Sequence, residues 1–331
     1  MTEVLLEVEN LTVEFPTEDG VVTAVRGVSY ELRQGESLGI VGESGSGKSV
    51  TSLAILGLLP RNARVSGSVR FRGEELLGRS DDEMSHLRGR KLAMVFQDPL
   101  ASLNPVYTIG NQIAEAILAH HRVSKRAAAA RTLELLKLVG IPHAEQRANA
   151  YPHELSGGMK QRVVIAIAMA NDPEVIIADE PTTALDVTVQ AQELEALESA
   201  REMTGAALVL ITHDLGVIAG HANRICVMYA GKLVETGSVD DIFYSPRKPY
   251  TLGLLGSLHR IDSRERLTPI TGSPPSLLNM PPGCPFGPRC PIVANRCQAE
   301  EPALYPAGPR HHAACHFHER LIDMKPGEIF Q

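Results

Sequence analysis

Apolar residues in this chain gather into short unbroken blocks, separated by longer stretches in which they recur every three or four positions. Leu38-Gly39-Ile40-Val41, Leu92-Ala93-Met94-Val95-Phe96, Val175-Ile176-Ile177-Ala178 and Ala207-Leu208-Val209-Leu210-Ile211 are such blocks. Each predicts a strand covered on both faces. Leu11, Val13 and Phe15 instead alternate with Thr12 and Glu14, as in a strand with one wet face. Between these lie helical patterns. Residues 111–120 carry Ile113, Ala116 and Ile117 on one face, and residues 125–139 follow, closed by Gly140 and Pro142. Residues 163–170 read as a further apolar helix, far short of a membrane span. Alternating strands and helices imply an α/β fold.

The pattern weakens near Ser245-Pro246-Arg247-Lys248-Pro249. Twelve of the 22 prolines lie from Pro269 to Pro326, and four of the five cysteines from Cys284 to Cys315. The expected organisation is therefore a domain over 1–250, with a helical subdomain over about 98–165, and a loop-rich C-terminal extension over 251–331. Residues 250–258 could add one helix. The extension holds too little apolar sequence to bury much core of its own, and no internal repeat is visible. A net charge of −7 argues against nucleic acid as a partner, although a local basic patch stays possible. The first residues have neither a basic region nor a long apolar run, so no signal peptide is expected.

Residues 42–49, Gly-Glu-Ser-Gly-Ser-Gly-Lys-Ser, change the picture from fold to chemistry. They complete the pattern G-x-x-x-x-G-K-S between a buried strand and a helix start, the setting a phosphate loop requires. Gly42, Gly45 and Gly47 let the backbone approach a polyphosphate, with Ser44 and Ser46 between them. Lys48 would reach the β- and γ-phosphates and Ser49 would ligate Mg²⁺. A glycine-rich turn that merely precedes Lys-Ser is the bland alternative.

Three further strand ends carry polar groups. Val175–Ala178 runs into Asp179 and Glu180, at the carboxyl edge where open α/β sheets bind ligands. Asp179 could hold the Mg²⁺ shell, and Glu180 could orient or deprotonate an attacking water. Both could also cap the helix beyond Pro181. Gln97 and His213 end the strands before them and could reach a γ-phosphate, although either residue type more often serves a loop or cap. Ser156-Gly157-Gly158 precedes an apolar helix and offers a second anion site at its N-terminus.

Taken in order, these motifs resemble those of ATP-binding cassette (ABC) ATPases over residues 1 to about 250. Residues 42–49 match the phosphate loop, Gln97 the glutamine loop and Ser156-Gly157-Gly158 the signature. Asp179-Glu180 match the acidic strand, Ala184-Leu185-Asp186 the loop after it, and His213 the switch histidine. Met159 departs from the family's common Gln, beyond the part of the signature that touches phosphate. The resemblance implies a RecA-like core with antiparallel β and helical subdomains. It implies ATP held between the phosphate loop of one cassette and the signature of another, hence a second ABC ATPase subunit, a paralogue or a second copy. It also implies Glu180 as general base, with His213 on the γ-phosphate. Family members stack adenine on an aromatic near the end of the first strand. Phe15 matches that place, or it simply faces the core.

Longer phrases narrow the resemblance. Phe96-Gln97-Asp98-Pro99, Ser102-Leu103-Asn104-Pro105, residues 178–188, Pro249-Tyr250-Thr251 and the Cys-Pro pairs at 284 and 290 resemble ATPase subunits of dipeptide and oligopeptide importers. That implies two integral-membrane permease subunits, an extracytoplasmic substrate-binding protein acting indirectly, and a peripheral place on the cytoplasmic face of the cell membrane. In such importers the helical subdomain docks a coupling helix of the membrane subunit. Importers of nickel or antimicrobial peptides, and soluble ABC ATPases of ribosome or cluster assembly, remain as alternatives. Cys284, Cys290, Cys297 and Cys315 suit an iron–sulfur cluster or zinc. His311, His312, His316 and His318 crowd the last of them and keep zinc open, as are thiols with no metal. The resemblance implies a 4Fe–4S cluster there. Cys226 stands apart in an apolar run and is expected in the core.

Overall fold

The first strand, Val4–Thr17, changes the parity of its buried side chains partway along. Leu6 and Val8 are buried, then Leu11 and Val13. A strict alternation would have turned one of these pairs to water. The register against Arg64–Phe71 shifts between Glu9 and Thr12, and Asn10 sits there at φ 49°. This bulge lets both apolar pairs face the core. Opposite it, Gly67 has φ 104°, and a Cβ there would lie 2.6 Å from the Asn10 carbonyl oxygen. The computed structural model describes residues 3–182, 187–258, 269–322 and 324–330.

The chain forms two compact units. One comprises Leu6–Glu31, Ser37–Leu77 and Thr212–Gln331. It contains an antiparallel sheet in the order Gly20–Arg33, Val4–Thr17, Arg64–Phe71, Glu74–Glu75. A second set of strands runs Tyr305–Gly308, His311–Ala313, Lys232–Ser238, Arg224–Tyr229, Ser37–Val41. Ser37–Val41 is wholly buried and pairs in parallel with Arg224–Tyr229, Leu38 opposite Arg224 and Val41 opposite Val227. Cys226 is buried on that strand, as its apolar run suggested.

The loop-rich extension thus supplies two strands of its own. Ala313 and His312 pair with Glu235 and Thr236. The hairpin is held from the side as well. The buried Glu235 carboxylate accepts from the backbone N–H groups of Arg247 and Lys248 and lies 2.8 Å from Nε2 of the equally buried His311. Arg26 and Lys232 both pair with Glu301. Phe286 of the extension is buried against Tyr229 and Tyr250, with ring centroids 5.4 and 5.5 Å away. The extension therefore finds its core by packing on strand and helix residues of the same unit. The helix expected near 250–258 spans Pro249–Gly256.

The other unit comprises Met1–Leu5, Leu32–Glu36 and Gly78–Ile211. Its parallel strands run Leu92–Val95, Val175–Asp179, Ala207–Thr212, side by side in that order. Val175–Asp179 and Ala207–Thr212 are buried along their whole length, as their unbroken apolar sequence requires. Helices Ile109–His120 and Lys125–Leu138 lie close to their sequence-based limits. Thr108 caps the first by accepting from Asn111 N–H, and Ser124 the second by accepting from Ala127 N–H. Gly140, at φ 71°, ends the second. Among the described residues no helix is long and apolar enough to cross a membrane.

Candidate functional site

The phosphate loop follows the buried strand Ser37–Val41 and leads into the helix Lys48–Ile55. Two glycines are dictated by close approach. A Cβ on Gly42 would lie 2.2 Å from the Met228 carbonyl oxygen, and one on Gly47 2.6 Å from that of Ala24, where φ is already 102°. Gly47 is also the N-cap and has no side chain to cap the helix, which leaves that end suited to an anion. Ser44 and Gly45 are exposed, Ser46 is buried and Ser49 half-buried. Lys48 is only 5% exposed, and its ammonium donates to the carbonyls of Gly42 (2.7 Å) and Glu43 (3.1 Å). The loop is thus wound around its own lysine, as a site for several negative charges would be.

Glu43, a variable position of the motif, is held on every side. Its N–H donates to Tyr250 Oη at 2.8 Å, and its carboxylate takes a two-pronged pair from Arg289 at 2.6 and 2.9 Å. The sequence offered no signal for this, since both partners lie more than 200 positions away. In the same unit, His213 is exposed just after Thr212, while Asp214 caps the helix Leu215–Ala219 through Gly216 N–H. Phe15 continues the buried row of Leu11 and Val13 and emerges half-buried at its end.

The acidic strand belongs to the other unit. Asp179 is buried at its end, and Glu180 follows in the left-handed region at φ 45° with its N–H donating to the Ile211 carbonyl. An αL backbone at a non-glycine residue is uncommon and turns the side chain out of the strand's line. The neighbouring strand pairs Val95 with Ala178, so two residues further on Gln97 stands beside Glu180. Gln97 Nε2 donates to Glu180 Oε2 at 2.8 Å. Asp98, the next residue, accepts from Leu100 N–H and caps the short helix Pro99–Ser102.

The signature lies in this unit too. Ser156 caps the helix Gly157–Ala168 by accepting from Met159 N–H at 3.3 Å. Its two glycines differ. A Cβ on Gly157 would meet nothing within 4 Å, whereas one on Gly158 would touch Val189 at 3.0 Å. Gly158 thus serves packing, and Gly157 keeps an outer surface clear. Ser156 and Gly157 are exposed while the body of the helix is buried. Asp186 lies outside the described residues.

The cysteine expectation is corrected. Among the described residues no group of three or more His, Cys, Asp or Glu is placed to hold a metal ion. Neither the 4Fe–4S cluster nor its zinc alternative at Cys284, Cys290, Cys297 and Cys315 is therefore supported. The four residues do line one cavity, but its volume is about 10 Å³, roughly one water. Lys248 fills its side, donating to the Ala314 carbonyl at 2.6 Å with Cys284 Sγ at 3.5 Å. Burial pushes the Cys290 thiol up to about 12 and raises that of Cys315. The crowding histidines are engaged elsewhere: His311 with Glu235, His316 with the Glu300 carbonyl, and His318 stacked on Tyr305.

Comparison with known proteins agrees with this geometry. Residues 25–183 match the family model described as ABC transporter, and residues 234–297 the one described as oligopeptide/dipeptide transporter, C-terminal region. The chain is 55% identical to the oligopeptide transport ATP-binding protein OppD of Mycobacterium bovis, over 99% of this chain and 54% of that protein. The same figures hold for the Mycobacterium tuberculosis protein, so the chain spans about half the length of these two relatives. It is 53% identical to the dipeptide transport ATP-binding protein DppD of Bacillus subtilis, over 89% of this chain and 90% of that one. A solved dimer of an ATP-binding cassette, in a post-hydrolysis state with ADP and Pi, is 29% identical. It matches with a TM-score of 0.64, over 71% of this chain and 99% of that one.

Proposed function

From a chain that belongs to the ABC transporter family, with the C-terminal region of oligopeptide/dipeptide transporters, we propose an ATP-hydrolysing subunit that energises a membrane importer of di- and oligopeptides. The observation that carries the reading is the phosphate loop closed around the buried Lys48 ammonium, with an uncapped helix N-terminus beside it. Residues 1–250 are the ATPase domain in this reading and 251–331 its extension.

The roles follow from chemistry. Gly42, Ser44, Gly45, Ser46 and Gly47 cradle the phosphates of ATP, and Lys48 turns from the loop carbonyls to the β- and γ-oxygens. Ser49, Gln97 and Asp179 would hold Mg²⁺, which supplies charge neutralisation on those oxygens. Glu180, oriented by Gln97, takes the proton of a water whose oxygen bonds to the γ-phosphorus. The bond from that phosphorus to the bridging oxygen breaks, leaving ADP and phosphate. His213 contacts the γ-phosphate and Phe15 the adenine, and Asp186, in the loop beyond the acidic strand, belongs to the nucleotide-binding set. The exposed Ser156 and Gly157, with Gly158 behind them, complete the ATP site of a second cassette, a paralogue or another copy.

Two permease subunits are the membrane partners, with an extracytoplasmic substrate-binding protein acting through them, and the chain sits peripherally on the cytoplasmic face. Leu100, Val106 and Tyr107 in the helical region are more than half exposed, an apolar surface suited to a permease helix. Co-purification from detergent-solubilised membranes, with peptide-stimulated ATPase activity in the isolated complex, tests the reading. A chain that hydrolyses ATP but never co-purifies with membrane subunits would overturn the transport part.

A further inference from the structure

Arg289 of the extension reaches the phosphate loop. Arg289 ends the short 3-10 turn Gly287–Arg289, and its side chain is only 6% exposed. A guanidinium so buried must find its charge and hydrogen bonds inside the protein. It donates to both carboxylate oxygens of Glu43, to the Thr271 carbonyl at 3.0 Å, and to Tyr229 Oη at 3.3 Å. Its carbon lies 5.9 Å from the ring centroids of both Tyr229 and Phe286, within cation–π range. The turn that carries it is fixed in turn by Phe286, wedged against Tyr229 and Tyr250.

At the receiving end, every polar group of Glu43 is restrained. Arg289 holds the carboxylate, Tyr250 Oη accepts the N–H, and the carbonyl takes the Lys48 ammonium. Glu43 is the second residue of the loop, so these restraints set where its backbone stands relative to Lys48. The solved cassette that matches over nearly its whole length covers 71% of this chain. A minimal cassette therefore has no counterpart for much of the remainder.

We infer that Arg289, with Tyr250, is a positioning residue for nucleotide binding: the C-terminal extension holds the phosphate loop in its receptive shape through Glu43. The inference rests on the reading of this loop as an ATP site. Removing the fork frees Glu43 and loosens the loop around Lys48, so ATP must first order it. The effect falls on affinity, not on the chemistry at Glu180.

The test uses the full chain with ATP as probe and two readouts. In Arg289→Ala, the ATP dissociation constant rises about ten-fold, equivalent to about 1.4 kcal/mol. Amide hydrogen exchange across 42–48 speeds up in the absence of nucleotide. Arg289→Lys, which keeps the charge but loses the fork, falls between the two. Should Arg289→Ala fail to fold, Tyr250→Phe removes only the hydroxyl on Glu43 N–H and still accelerates exchange at that amide. Unchanged loop exchange in the folded variants, or ATP affinity within two-fold of wild type, would overturn the inference. Exchange is read without ATP, so a wild-type chain that bound no ATP would defeat the functional reading separately, while loop exchange would still decide the clamp.

Discussion

The phosphate loop and the signature both present a helix N-terminus to an anion, yet they are built in opposite ways. The loop is shut in on itself, with Lys48 buried, Gly42 and Gly47 pressed on neighbouring carbonyls, and Glu43 tied to Arg289 and Tyr250. The signature stands exposed at Ser156 and Gly157, on a helix whose later turns are largely buried. On the proposed reading, one is a finished half of an ATP site. The other has a rigid base and an uncovered tip, which is what a surface completed by a second chain requires. On the proposed reading, nucleotide affinity resides in the single chain and turnover needs the second cassette.

That contrast can be broken most sharply at the chemistry itself. Glu180→Gln should retain ATP binding and lose turnover in the assembled complex by ~10²-fold or more, the scale of a positioned general base. A near-normal steady-state rate in the pure mutant complex would remove Glu180 from the mechanism. Ser156→Arg should then separate the two helix ends. ATP affinity of the isolated chain stays near wild type, while the complex falls to the rate of unassembled subunits. An isolated wild-type chain that already hydrolyses as fast as the complex would erase the distinction between the finished and unfinished halves.

Gly42→Ala probes the closed side. Its added methyl must displace the Met228 carbonyl, so thermal denaturation should show a loss of ~1–3 kcal/mol, together with weaker ATP binding. A variant as stable as wild type would mean the loop is looser than its contacts indicate. The smallest effect is expected in the extension, through Cys290. Its thiol is raised by burial from 9.0 to about 12, so the folded protein holds this proton where the unfolded chain releases it. The stability it contributes is complete below pH 9 and drains away as pH climbs toward 12. Limited proteolysis of residues 270–320 should accelerate over that window, and iodoacetamide should label Cys290 slowly at pH 8. Rapid labelling at pH 8 would show the cavity open to solvent.

Much of this was legible in the sequence because the decisive residues sit next to their elements. Lys48, Ser156, Asp179 and Gln97 each lie at a strand end or helix start, and apolar periodicity locates those places. Even the Gln97–Glu180 contact follows from strand register once two parallel blocks are known. What stayed hidden was long-range pairing. Nothing local marks Glu43 as the partner of Arg289, or Glu235 as the buried anchor of His311. The cysteines misled for the opposite reason. Clustering in sequence suits ligation as well as free thiols, whereas a lysine ammonium and apolar walls line the space between them. The parity change at Asn10 likewise depends on a bulge that Gly67 accommodates from the facing strand.

The hairpin of Tyr305–Gly308 and His311–Ala313 has a further consequence. It shields the flank of Lys232–Ser238, whose hydrogen-bonding groups would otherwise stand open along one side of the sheet. An uncovered flank of that sort is adhesive, because any extended segment can dock on it. A shortened chain that stops before the hairpin would therefore tend to cluster, and its inactivity would report stickiness before it reported anything about ATP. Light scattering on such a chain, alongside its ATPase assay, distinguishes a cassette that has lost its chemistry from one that has lost its cover.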